Sequence, residues 1–278
     1  MIRRVRTRTG AVMPPLGLGT WHMGESPGRH ASEVAALRLG FDLGMNLVDT
    51  AELYGAGGAE KVVAEAMSGR RDEIFVVSKV LPENATLAGT IRACERSLER
   101  LRTDRIDLYL LHWPGAHPLE ETLEAFARLH ADGKVLHYGV SNFDADEMEA
   151  AKKLPAGNRI AADQVLYNLE RRGIERRLLP WCRRHGVVLM AYSPLEQGRL
   201  RDRPALARVA RRHGVSTASI AVAWTIRHEG VVTIPKASSL DHVRENAAAA
   251  RLRLTGEDLA ELDRAFPVPS RDVPLDML

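Results

Sequence analysis

The amino-acid sequence predicts an α/β fold: a (β/α)8 TIM barrel with an N-terminal β-hairpin and two extra helices, in one domain over residues 1–278. Three observations point there. Eight short apolar runs alternate with helical patterns, which implies a parallel sheet covered by helices. Strand ends recur about every thirty residues, and eight such units in roughly 250–300 residues suit a closed barrel. No Gly-x-Gly-x-x-Gly turn follows any strand, which disfavours a doubly wound open sheet.

Taken in order, residues 2–14 read as a hairpin turning at Thr9-Gly10, and 16–21 as a short run ending on Trp21. A helix at 31–43 precedes a strand at 46–49, and a helix at 58–68 precedes a strand at 74–79. Within 86–101, Ile91, Cys94, Leu98 and Leu101 fall on one face by their three-and-four spacing, an amphipathic helix. A strand at 106–112 leads to a helix at 118–131, stopped by Gly133, a suitable C-terminal cap. Strand 135–141, helix 144–153, strand 159–165, helix 173–185 and strand 187–192 continue the series. A loop at 193–203 and helices at 204–212 and 216–228 then separate this strand from the last, at 231–234. Helices at 239–249 and 255–265 finish the fold, and the tail from Pro267 is expected to be extended.

Composition narrows the function. No run approaches the roughly eighteen apolar residues of a membrane span. The basic N-terminus has no apolar core behind it, so no secretory signal is expected. Cys94 and Cys182 lack metal or redox spacing, which suits a reducing cytoplasm. The formal charge of +3 is mild, and the Arg pairs at 171–172, 176–177, 183–184 and 211–212 read as solvated helix faces. No nucleic-acid partner is expected. The chain has six lysines against thirty-three arginines, so Lys79 and Lys236, both at strand ends, suggest positions that need a compact ammonium.

The residues closing the strands carry the chemistry: Trp21, Asp49, Lys79, His112, Ser141-Asn142, Gln164, Tyr192-Ser193 and Lys236. In a barrel the working site lies at the carboxyl ends of the strands. A buried carboxylate such as Asp49 is costly without a cation beside it, and Lys79 is the candidate. A lysine facing a tyrosine is a way to make the phenol of Tyr54 a better acid.

The stretches Asp49–Tyr54, Val77–Lys79, Leu110–Trp113, Gly139–Phe143 and Ile234–Ala237 resemble, in order and spacing, the aldo-keto reductases. The resemblance runs from about Pro14 to Phe266. Within that family the chain is similar to bacterial reductases of small aldehydes such as methylglyoxal, in Asp-Thr-Ala-Glu-Leu-Tyr, Gly-Gly-Ala-Glu-Lys-Val-Val and the Leu-Asp-Met ending. The resemblance implies hydride transfer from NADPH to a carbonyl. Tyr54 would be the proton donor, Lys79 and Asp49 its tuning pair, and His112 a hydrogen-bond partner of the substrate oxygen or a sharer of the proton. It further implies that Ser141, Asn142 and Gln164 grip the nicotinamide carboxamide and that Tyr192 stacks on the ring. Ser193, Leu195 and Gln197 would line the pyrophosphate loop. Ile234, Lys236, Ala237, Ser238 and His242 would form the segment at the 2′-phosphate, and Glu245 and Asn246 would meet the adenine. Trp21 and Trp113, with Tyr54 and His112, would wall the substrate pocket. No metal is implied, and the family's frequent monomers make a monomer the default.

Two positions depart from the pattern. Ala237 stands where many members have Ser, and His242 where they have Arg. Ser238, Ser239 or Arg244 would have to compensate, and NADH remains the alternative reductant. The short segment 114–118 and the brief tail predict an open site for small carbonyls. Two rivals differ in class. One is a metal-dependent barrel hydrolase using Asp49, His112 and Asp163, which would want clustered ligands. The other is a nucleotide-binding sensor of the same fold without turnover. His22, His117 and His137 are assigned no role.

Overall fold

The computed structural model describes residues 4–200 and 202–278. Positions 2 and 3 of the expected hairpin, and Arg201 of the expected 193–203 loop, lie outside the described residues. Strands β1 (Val5–Arg6) and β2 (Val12–Met13) pair antiparallel. Gly10, at φ +91°, makes the turn expected of it.

The barrel then opens with β3 (Leu18–Gly19), α1 (His30–Asp42), β4 (Leu47–Asp49), α2 (Gly58–Ala66) and β5 (Phe75–Val80). It continues through α3 (Leu87–Leu101), β6 (Ile106–Leu111), α4 (Leu119–Ala131), β7 (Val135–Ser141), α5 (Ala145–Lys153) and β8 (Ala162–Leu166). The last part comprises α6 (Leu178–His185), β9 (Val188–Tyr192), α7 (Pro204–His213), α8 (Thr217–Thr225), β10 (Val231–Thr233), α9 (Leu240–Ala249) and α10 (Gly256–Ala265). Strands β3 to β10 form one eight-stranded parallel sheet in chain order. Bridges Leu16–Thr233 and Gly19–Lys236 join its first and last strands and close the barrel. The seam needs glycine: a Cβ on Gly19 would stand 2.6 Å from the Ile234 carbonyl oxygen. The two extra helices are one of the α7–α8 pair and α10.

Two expectations are corrected. The helix expected over 173–185 is a 3-10 turn at Gly173–Glu175 followed by α6. Pro180 has no N–H to donate, so it is tolerated only in a first turn, and the helix starts just before it. The strand expected at 159–165 begins three residues later, at Ala162, because Gly157–Arg159 forms a 3-10 turn.

The strand period of two decides which side chains enter the barrel. Leu47, Val77, Leu108, Leu110, Ala162, Val188, Met190 and Val232 form the inner core, and Val5, Ala11 and Met13 of the hairpin pack in the same cluster. Their neighbours Val48, Val76, Val80, Tyr109, Leu111, Val165 and Leu189 face the helices in the larger outer core. Each large side chain so buried contributes about 1.5–3 kcal/mol. The next inward position after Leu47 is Asp49, after Val77 is Lys79, after Leu110 is His112, after Ala162 is Gln164, and after Met190 is Tyr192. The alternation that fills the core with apolar groups therefore delivers polar ones to its carboxyl end.

Candidate active site

At that end lies a cleft of about 490 Å3. Its lining includes Trp21, Asp49, Tyr54, His112, Trp113, Ser141, Asn142 and Gln164, and continues along Tyr192, Ser193, Leu195, Gln197, Ile234 and Lys236. Lys79 is wholly buried at its base. Its Nζ donates to Asp49 Oδ2 at 2.8 Å, to the Thr50 carbonyl oxygen at 2.9 Å and to Tyr54 Oη at 3.1 Å. Three donors meet three acceptors, so the buried ammonium is satisfied. Because Tyr54 Oη accepts from Lys79, the phenol proton is left to point elsewhere.

Burial pushes Lys79 down, but the Asp49 carboxylate and the Tyr54 oxygen outweigh it and its pKa stands above the ordinary lysine value. For Tyr54 the balance differs from the sequence-based expectation. Burial raises its pKa first, Lys79 lowers it, Asp49 raises it again, and the phenol ends above its ordinary value. Burial is what outweighs Lys79 here, and the Asp49 charge adds to it. The phenol thus holds its proton at neutral pH, while Lys79 at 3.1 Å still reduces the cost of the phenolate.

His112 is packed edge-on to Tyr54, with ring centroids 5.6 Å apart, and against Trp113 at 4.6 Å. Burial, then the Lys79 charge, push its pKa down to about 2, so the imidazole is neutral. Of the two roles anticipated for it, a hydrogen bond to the substrate oxygen fits a neutral ring. Trp21 is 43% exposed and meets Tyr54 edge-to-face at 4.9 Å, an apolar wall open to solvent.

Ser141, Asn142 and Gln164 form one network. Ser141 Oγ donates to the Gln164 carbonyl oxygen at 2.7 Å, and Asn142 Nδ2 donates to the His112 carbonyl oxygen at 3.1 Å. Tyr192 Oη donates to Asn142 Oδ1 at 3.0 Å. Gln164 Nε2 donates to Asp49 Oδ1 at 2.7 Å, which leaves its Oε1 as the acceptor it can offer. Asn142, at φ +63°, turns the chain at the strand end.

Lys236 also lines the cleft. It is exposed by area, yet enough protein surrounds its ammonium to lower its pKa, burial being the chief cause. Its Nζ donates to Ser238 Oγ at 3.3 Å, so the hydroxyl absent at Ala237 is present next door. Ala237 is buried, and His242 is exposed, with its backbone N–H on the Ser239 cap. Glu245 and Asn246 lie on α9, outside the cleft lining, and Asn246 is buried.

Asp163 does not join Asp49 and His112. It lies on the other face of β8 from Gln164, outside the cleft, and burial raises its pKa well above the carboxylate range. Among the described residues no three His, Cys, Asp or Glu side chains are grouped to hold a metal. No described helix is long and apolar enough to cross a membrane.

Sequence reasoning missed Met277 and Leu278, which line the cleft although the tail is brief. The Leu-Asp-Met ending was the available signal, but nothing local says that a proline-punctuated tail returns to the mouth. His22, assigned no role, also lines the cleft, paired to Glu25 at 2.8 Å.

Known proteins resemble this chain over nearly its whole length. The chain is 49% identical over 271 residues to "Methylglyoxal reductase YeaE" of Escherichia coli (strain K12), covering 96% of this chain and 95% of that protein. It is 36% identical to "Glyoxal reductase" of Bacillus subtilis (strain 168), covering 93% and 91% respectively. The crystal structure of an aldo-keto reductase from Klebsiella pneumoniae in complex with NADPH superposes with a TM-score of 0.97 at 48% identity, covering all of both chains. The profile of the Aldo/keto reductase family matches residues 15–266, and the chain belongs to that family.

Proposed function

We propose that this protein reduces small aldehydes, 2-oxoaldehydes such as methylglyoxal foremost, to alcohols with NADPH as reductant. The observation that carries the reading is the placement of Lys79 Nζ 3.1 Å from Tyr54 Oη and 2.8 Å from Asp49, in a cleft that runs on to Lys236. The residues present fit the cofactor: amide and hydroxyl groups of Ser141, Asn142 and Gln164, the Tyr192 ring hydrogen-bonded to Asn142 beside them, and the Lys236 cation in the same cleft. Similarity to reductases named for methylglyoxal and glyoxal supports the substrate class.

Bound NADPH supplies the hydride. Every other part of the reaction is the chain's own work. Neutral His112 donates a hydrogen bond to the carbonyl oxygen, where charge gathers as the carbon is reduced. Tyr54 hands its proton to that oxygen, forming the alcohol hydroxyl. Lys79 steadies the phenolate left behind until solvent returns a proton, and Asp49 keeps Lys79 in place. Trp21 and Trp113 flank the small carbonyl, and Ser193, Leu195 and Gln197 border the nucleotide.

Loss of nicotinamide absorbance with methylglyoxal and an aldehyde panel tests the reading directly. Tyr54→Phe should lower kcat roughly a hundredfold to ten-thousandfold, the usual reach of a general acid, with NADP+ binding retained. Full turnover in that variant would overturn the acid role. Tight NADP+ binding with no aldehyde reduced would overturn the enzyme reading in favour of a sensor.

A further inference from the structure

The loop after β9 is strained and then tied down. Ser193, Glu196 and Gln197 all adopt left-handed backbone conformations, with φ of +49°, +47° and +54°. Non-glycine residues there persist only when their surroundings hold them. The holding group is the Glu196 carboxylate, which is 1% exposed. Its Oε2 accepts from Asn168 Nδ2 at 2.7 Å, and its Oε1 from Arg171 Nε at 3.1 Å and Nη2 at 2.9 Å. Asn168 also donates to the Ser193 carbonyl oxygen at 2.9 Å.

Arg171 has a second partner. Its Nη1 lies 3.4 Å from Asp276 Oδ1, in the tail. Upstream, Arg176 Nε binds Asp272 Oδ1 at 2.7 Å and Leu275 packs on the outer core. Beyond Asp276, Met277 and Leu278 line the cleft, and the Leu278 backbone lies against the Tyr192 hydroxyl. A pocket of about 70 Å3 beside the tail is bordered by Arg171, Leu166 and Leu275.

One guanidinium therefore joins the 193–198 loop, assigned above to the nucleotide, to the tail whose Met277 and Leu278 line the same cleft. We propose that Arg171 is a positioning residue that transmits nucleotide binding at the loop to Met277 and Leu278, so that the substrate wall is set only once the nucleotide is held. This rests on the assignment of the loop to the nucleotide made above. A guanidinium suits the task because Nε and Nη2 converge on Glu196 Oε1 while Nη1 reaches Asp276, a fixed fork that a lysine ammonium lacks.

The test is hydrogen exchange of the full-length protein with and without NADP+, beside steady-state kinetics with methylglyoxal. In the wild type, NADP+ should slow exchange across 272–278. Asp276→Ala cuts the strut at its tail end and leaves the Glu196 cradle intact. It should bind NADP+ with unchanged Kd, lose the tail protection, and raise KM about fivefold or more, a typical size for coupling between sites, with kcat within about twofold. Arg171→Lys should show the same loss of protection. Tail protection in Asp276→Ala equal to the wild type, or NADP+ binding to the wild type without tail protection, would overturn the coupling alone. Failure of the wild type to bind NADP+ would overturn the functional reading and the coupling with it.

Discussion

Gln164 Nε2 donates to Asp49 Oδ1 at 2.7 Å, across 115 residues of sequence. Asp49 thereby has one oxygen on Lys79 and the other on Gln164. A side chain that the family resemblance assigns to the cofactor is also the brace of the acid–base pair. On that assignment, holding the nucleotide and orienting Lys79 would meet at a single carboxylate.

Gln164→Leu should reveal both duties. Loss of the hydrogen bond leaves Asp49 Oδ1 buried and unpaired, which costs about 1–3 kcal/mol of stability. Urea unfolding should show this, and titration with NADP+ should show a weaker Kd. A variant with wild-type stability and a weakened Kd would assign Gln164 to the nucleotide only.

The Asp49–Lys79 pair should behave as a unit. Lys79→Met strands a buried carboxylate and should cost about 3–5 kcal/mol. Asp49→Asn combined with Lys79→Met removes both charges and should recover much of that loss, while turnover stays abolished. Unfolding free energies and initial rates for the three variants make the comparison. Strict additivity of the two single losses would contradict the coupling.

His112 governs a pH dependence of stability, not of proton donation. Its folded pKa near 2 lies far below the ordinary histidine value. Between those values the unfolded chain binds a proton that the folded one refuses, so stability is present above about pH 6.5 and falls as pH drops. The slope from this group approaches 1.4 kcal/mol per pH unit, about one proton's worth. His112→Gln should flatten the unfolding free energy between about pH 6 and pH 4 relative to the wild type. In the wild type, kcat should fall only on the alkaline side, as Tyr54, whose pKa is raised, loses its proton. An acid limb that disappears in His112→Gln would argue instead for a protonated imidazole in the reaction.

Lys236 should set the preference for NADPH. A charge-assisted bond to the 2′-phosphate contributes about 1.5–3 kcal/mol, so Lys236→Met should weaken NADP+ binding roughly tenfold to a hundredfold. NAD+, which lacks that phosphate, should bind as before. Equal losses for both nucleotides, read by fluorescence titration, would place Lys236 elsewhere on the cofactor. Comparable wild-type rates with NADPH and NADH would mean that Ser238 beside Lys236 does not make up for Ala237 and His242.

Much of this protein was legible in the chain because barrels repeat a simple rule. Alternation of apolar positions along each strand is a local property, so Leu47–Asp49, Val77–Lys79 and Ala162–Gln164 announce both the core and the residues above it. Strand order, the Asp49–Lys79 pairing and the rim residues follow from that periodicity and from the family's spacing. Other features depend on contacts between distant segments, and no local pattern encodes them. Only the folded chain shows that Asp49 opposes Lys79 at Tyr54, because a pKa answers to every charge nearby and to burial. Only the folded chain shows Gln164 bracing Asp49, Glu196 pinned by Arg171 and Asn168, and Met277 and Leu278 returning to the mouth. Sequence settled which side chains face inward, since that depends on a period of two. Tertiary structure decided which of them touch, since that depends on where the barrel closes and where the tail is tied.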